Sequence, residues 1–125
     1  AFQCLTYAEA EARHPAEFHR FEAREADAAF PGGTGESLAA LDARVWGLVE
    51  VLRARHAGHT VLLVTHGGVL DVVVRRVRNL GLAGRRDFEI SNCALNWIVH
   101  DEAGWRVDSW GDVAHLDAAL DELPA

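Results

Sequence analysis

The sequence predicts an α/β protein: a three-layer α/β/α sandwich, with helices on both faces of a mostly parallel sheet and a hairpin at its C-terminal side. Three observations predict it. Residues 61–64 are all apolar, a run of strand length, and they lead directly into Thr65-His66-Gly67-Gly68 and a helix-forming stretch. Before that run, Leu38, Leu41, Val45, Leu48, Val49 and Leu52 recur at helical spacing and form one apolar stripe. After it, residues 93–100 and 105–110 alternate around Asp101-Glu102-Ala103-Gly104, which reads as two strands joined by a turn. Helix, buried strand and helix in succession is the pattern that builds a parallel sheet.

The elements follow in order. Thr6 and Glu9 have the spacing of a capping box, so a short helix starts after Thr6 and ends before Pro15. Pro15 suits the first turn of a second helix over residues 15–24, with Phe18 and Phe21 on one face. Residues 30–37 hold three glycines and a proline and read as a loop. That loop has no Lys before Ser37 and the wrong glycine spacing for a dinucleotide fingerprint, so neither nucleotide-binding pattern is met. Ser37 is instead the N-cap of the long amphipathic helix, which ends near His56 and Gly58. A strand over 60–65 and a helix from about Gly67 to Arg78 come next, closed by Asn79-Leu80-Gly81. The hairpin and an acidic tail of weak helical pattern complete the chain.

The totals exclude several classes. The 125 residues make one domain at most, spanning 1–125, and half of them are apolar, enough for a core. The net charge is −7 and all 12 basic residues are Arg. Such a chain is poorly suited to sequence-independent nucleic-acid binding, which needs a basic surface against phosphates. No apolar run approaches the ~20 residues of a membrane span, and the first residues lack the basic start of a signal peptide. Cys4 and Cys93 are far apart and form no CxxC, which fits two reduced thiols and a cytoplasmic location. Without an initiator Met, the chain is expected to begin inside a longer protein. A homodimer is compatible with the sequence but not specified by it.

The chemistry centres on His66. It stands where a strand hands over to a helix, the place where open α/β sheets bind ligands. The helix start offers unpaired N–H groups and a positive dipole end, and Gly67 and Gly68 let an anion approach the backbone. His66, Gly67 and Gly68 therefore read as a phosphate site. Tyr7 is a candidate to touch a substrate, although a packed tyrosine is the plainer reading. Glu36 is a carboxylate at a helix start, better read as structural than as a general acid. His56 and His59 lack a third ligand at useful spacing, so no metal is expected. Arg75, Arg76, Arg78, Arg85 and Arg86 read as a solvated basic face. An esterase reading of His-Gly-Gly needs a Gly-x-Ser-x-Gly elbow, which the sequence does not contain.

Four stretches together resemble the histidine phosphatase superfamily, the phosphoglycerate mutase-like family. Residues 1–9, with Cys4 where Gly is usual, are similar to the segment after the family's catalytic acid. Pro31 to Ser37 resembles its Gly-Glu-Ser start of a long helix. Val64-Thr65-His66-Gly67-Gly68 resembles its second histidine motif. Asn92 to Asn96 and Gly111 to Leu116 resemble its closing strands and tail.

The resemblance implies a phosphomonoester hydrolase acting through a phosphohistidine, without metal or cofactor, on a phosphorylated small molecule. It implies that His66 is the second, phosphate-holding histidine. The family's nucleophile lies in Arg-His-Gly, which occurs nowhere here; Arg13-His14 is followed by Pro15. The expectation is an incomplete, N-terminally truncated phosphoglycerate mutase-like domain. The short region after Thr6 favours a phosphatase over a mutase. The competing expectation is a non-catalytic phosphate-binding or protein-interaction module.

Overall fold

The computed structural model describes residue 2, residues 4–29 and residues 35–117. Residues 30–34 of the glycine-rich loop and 118–125 of the acidic tail, about which the sequence raises expectations, lie outside the described residues.

Helix α1 runs Tyr7–Arg13 and α2 runs Pro15–Glu22. The capping box forms in full: Glu9 N–H donates to Thr6 Oγ1 at 3.3 Å, and Thr6 N–H donates to Glu9 Oε2 at 2.9 Å. Pro15 occupies the first turn of α2, where its missing N–H costs nothing. The two helices share an aromatic cluster in which Phe18 is buried and its ring centroid lies 6.2 Å from those of Phe2 and Tyr7. Helix α2 closes in a Schellman motif. Glu25 N–H donates to Arg20 O at 3.1 Å and Arg24 N–H to Phe21 O at 3.0 Å, with Arg24 left-handed at φ 53°.

Helix α3 spans Leu38–Arg55, and Ser37 Oγ accepts from Ala40 N–H at 3.2 Å as its N-cap. Helix α4 spans Gly67–Val77. The two helices pack together around buried Val45, Val49, Val72 and Val74. A second Schellman motif ends α4, with Leu80 N–H on Arg75 O at 2.7 Å and Asn79 left-handed at φ 55°. Strands β1 (Leu95–Asp101) and β2 (Gly104–Asp112) form the expected antiparallel hairpin, with irregular register between Leu95 and Ile98. Its turn is tied by Ala103 N–H on Asp101 Oδ1 at 2.9 Å, with Gly104 at φ 104°. The hairpin docks on the helices through Trp105, which stands edge-on to Trp46 at 5.5 Å and donates to Glu50 Oε1 at 2.9 Å. A single turn, α5 (Ala114–Asp117), follows.

Three expectations change. Residues 60–65 are not a hydrogen-bonded strand, and among the described residues the hairpin is the sheet; no parallel pair is present. A strand exists only by pairing, and no described residue pairs with this run, so Val64 is 94% and Leu62 is 80% exposed. Leu48 of the α3 stripe is likewise exposed rather than buried. The arginine run is a solvated face only in part: Arg76, Arg78, Arg85 and Arg86 are exposed, but Arg75 is not, and three of the five are held by carboxylates. Arg75 is buried and donates to Asp71 Oδ2 at 3.2 Å, Arg86 donates to Asp71 Oδ1 at 3.1 Å, and Arg76 forks onto Asp42 at 2.9 and 2.6 Å. Only Arg78 and Arg85 of the run make no ion pair among the described residues.

Candidate functional site

His66 is the N-cap residue of α4, extended at φ −122° and ψ 160°, with its side chain exposed. Its carbonyl accepts from Val69 N–H at 3.0 Å and Leu70 N–H at 3.1 Å, closing the first turn. Its imidazole makes no capping bond. The N–H groups of Gly67 and Gly68 have no backbone acceptor among the described residues. They are the orphan donors of an eleven-residue helix, at its positive end. A Cβ at Gly68 would meet nothing within 4 Å, so that side of the glycine is open. A Cβ at Gly67 would meet Ile90 Cγ2 at 3.5 Å, which puts the segment before β1 at the rim of the site. The arrangement presents two backbone donors and one imidazole to an anion from outside.

Tyr7 is not brought to His66. It is 74% exposed and its ring contact is with Phe18, on the α1–α2 hairpin. Glu36 takes the structural role: Arg44 holds both of its oxygens at 2.8 Å. That hydrogen bond lowers the Glu36 pKa, the wrong direction for a carboxyl that must donate a proton at neutral pH. His59 Nδ1 lies 3.0 Å from the Ala57 carbonyl, a local turn contact.

Asp71, one turn into α4, belongs to no motif in the sequence. The residue is 2% exposed, and its carboxylate receives guanidinium groups from Arg24, Arg75 and Arg86. Burial raises its pKa, but Arg86, Arg24 and Arg75 together outweigh that and hold it below the ordinary aspartate value. Arg75 also donates to the carbonyls of Gly81, Ala83 and Gly84 at 2.8, 3.3 and 3.1 Å. The loop leading toward Ile90 is thus wound around a side chain of the helix that carries His66. An opposite-charge pair at i,i+4 among the valines of α4 was the signal for this network.

A strand-length run, a histidine cap and an open glycine helix start mark an α/β protein whose α4 begins with unpaired backbone donors. The particular family is given by comparison: the profile of the histidine phosphatase superfamily (branch 1) matches residues 1–113, and the chain belongs to that superfamily. Among its relatives is a metal-independent phosphoserine phosphatase of Arabidopsis thaliana, 32% identical over 118 residues, covering 94% of this chain and 48% of that protein. Phosphoglycerate mutase-like protein 4 of Arabidopsis thaliana is 34% identical, covering 92% of this chain and 49% of the relative. The probable phosphoglycerate mutase GpmB of Escherichia coli is 37% identical over 95 residues, covering 71% of this chain and 44% of its own length. The fold is similar to that of Bacillus stearothermophilus YhfR, with a TM-score of 0.78 and 26% identity, over 90% of this chain and 55% of YhfR. The chain spans about half the length of these relatives.

Proposed function

We propose that this chain is the phosphate-holding half of a metal-independent phosphomonoester hydrolase that works through a phosphohistidine. The observation that carries the reading is the pair of unpartnered N–H groups at Gly67 and Gly68 beside the exposed His66. These groups bind the equatorial oxygens of a phosphoryl group and stabilise the charge that redistributes there. The nucleophile, an Arg-His-Gly histidine, comes from the remainder of the intact protein. Its ring nitrogen bonds to phosphorus as the ester P–O bond breaks, and a carboxylic acid protonates the leaving oxygen. Water then attacks the phosphohistidine, the P–N bond breaks, and inorganic phosphate leaves.

The same reading extends to the fold. In the intact domain residues 60–65 become a strand beside a further, central strand, within a mostly parallel sheet of a three-layer sandwich. The exposed run 61–64 supports this, because its apolar side chains are of the kind a sheet interior covers. The substrate is a phosphorylated small molecule, and hydrolysis is favoured over mutase chemistry by the short region after Thr6. The exposed, unpaired thiols of Cys4 and Cys93 fit a reducing, cytoplasmic setting. Among the described residues, no helix is long and apolar enough to cross a membrane.

The test compares phosphomonoesterase activity of the 125-residue chain with that of the chain extended upstream by its natural gene. Activity in the extended protein alone, surviving a chelator, supports the reading. His66→Ala in the extended protein then lowers turnover at least ~100-fold, the scale of losing one oxyanion donor. Inactivity of both proteins points to a non-catalytic binding or interaction module. Unchanged turnover in the variant removes His66 from the site.

A further inference from the structure

We propose that Arg24 is a latch: the α1–α2 hairpin is a unit with its own core that docks through one guanidinium and undocks by releasing it. This inference concerns docking of the hairpin and does not depend on the phosphatase reading.

Hydrophobic clusters lie on both sides of Arg24 in the chain, and among the described elements α1 and α2 pack chiefly on each other. The hairpin carries an aromatic one, in which Phe2 lies 6.1 Å from His14, 6.2 Å from Phe18 and 6.1 Å from Phe21. The remainder carries an aliphatic one, made of Val45, Val49, Val72 and Val74. Among the described residues, every side-chain hydrogen bond or ion pair from residues 4–25 to residues 35–117 comes from Arg24. Its Nε donates to Leu82 O at 3.1 Å and its other arm reaches Asp71. Arg24 also sits at φ 53°, the helix-ending position that glycine or asparagine fills best. Its local conformation is unfavourable, and the guanidinium's two acceptors are what the arginine gains there. The chain just beyond is pinned: Ala39 N–H donates to Ala26 O at 2.9 Å and Ala29 bridges Ser37. The pivot therefore lies between Arg24 and Ala26.

The receptor for the latch persists without it. Asp71 keeps Arg75 and Arg86, so departure of Arg24 leaves no uncompensated buried carboxylate. Leu82 lies in the loop that Arg75 holds through Gly81, Ala83 and Gly84, so that acceptor also stays in place. Undocking therefore spares the usual penalty for opening a buried ion pair, which is what a reversible latch requires.

Native-state amide exchange on the full chain tests this. In the wild type, amides of α1 and α2 such as Ala10, His14 and Phe18 should share one opening, more frequent than that of α3 and α4. Arg24→Gly keeps the left-handed helix end and removes the guanidinium. It should speed exchange in α1 and α2 at least ~10-fold while α3 and α4 change less than about twofold, as expected for losing charged hydrogen bonds to a locally opening unit. Arg86→Ala, which thins the same carboxylate's partners without touching the hairpin, should not produce that selective increase. A uniform increase, no increase, failure of Arg24→Gly to fold, or a single opening shared by all helices in the wild type would each overturn the latch.

Discussion

At the residue scale, Gly68 separates the needs of the fold from those of the site. It is helical, and a Cβ there meets nothing within 4 Å. Alanine is the better helix residue by roughly 0.5–1 kcal/mol. Gly68→Ala should therefore raise the melting temperature slightly. The same methyl group adds bulk beside the Gly68 peptide donor, so inorganic phosphate should bind more weakly. Thermal melts and phosphate titration of one variant check both signs; unaltered phosphate binding would place the anion elsewhere. The helix start at His66, Gly67 and Gly68 was legible because residue type and order alone mark where an apolar run gives way to a helix. Asp71 was not, because its importance comes from Arg24, far away in sequence, and Arg86 across a loop. Cys4, at φ 62°, occupies the conformation that glycine prefers, in line with the glycine usual there in the family.

At the element scale, the helices follow their caps. Thr6 with Glu9, Pro15 and Ser37 each fix a start through contacts within three residues, so their starts follow from the sequence. Residues 60–65 show the opposite case, since a strand needs a partner that local pattern cannot supply. Helix α4 carries the charge network, and its pH response follows from Asp71. The folded-state pKa is lowered, so its stabilisation is complete above the unfolded value and is lost as pH falls through the folded one. Stability should be flat near neutrality and fall below about pH 4. Asp71→Asn should cost about 3 kcal/mol at pH 7, because it strands buried Arg75 beside a neutral group. The variant's acid limb should be shallower. Urea unfolding between pH 3 and 7 measures both; identical acid limbs would assign the pH response to other carboxylates.

At the scale of the whole molecule, residues 61–64 are exposed apolar side chains, as are Leu48, Val51, Leu95 and Trp97. An unpaired apolar segment is a template for association with other chains. Leu62→Lys with Val64→Lys should suppress light scattering on concentration with little change in melting temperature, since both side chains are already in solvent. Persistent scattering would locate the sticky surface elsewhere. The family was legible from four short stretches, whereas layering is not local: a strand is made by its partner, and the run at 61–64 has none among the described residues. The two-cluster packing also divides the chromophores. Tyr7, the sole tyrosine, lies on the α1–α2 hairpin, while all four tryptophans belong to α3 and the β-hairpin. Trp46 and Trp105 stand edge-on at 5.5 Å, close enough for their transitions to couple. Near-ultraviolet dichroism and indole emission therefore watch one part of the molecule, and tyrosine absorbance watches the other, so each can be followed without a label.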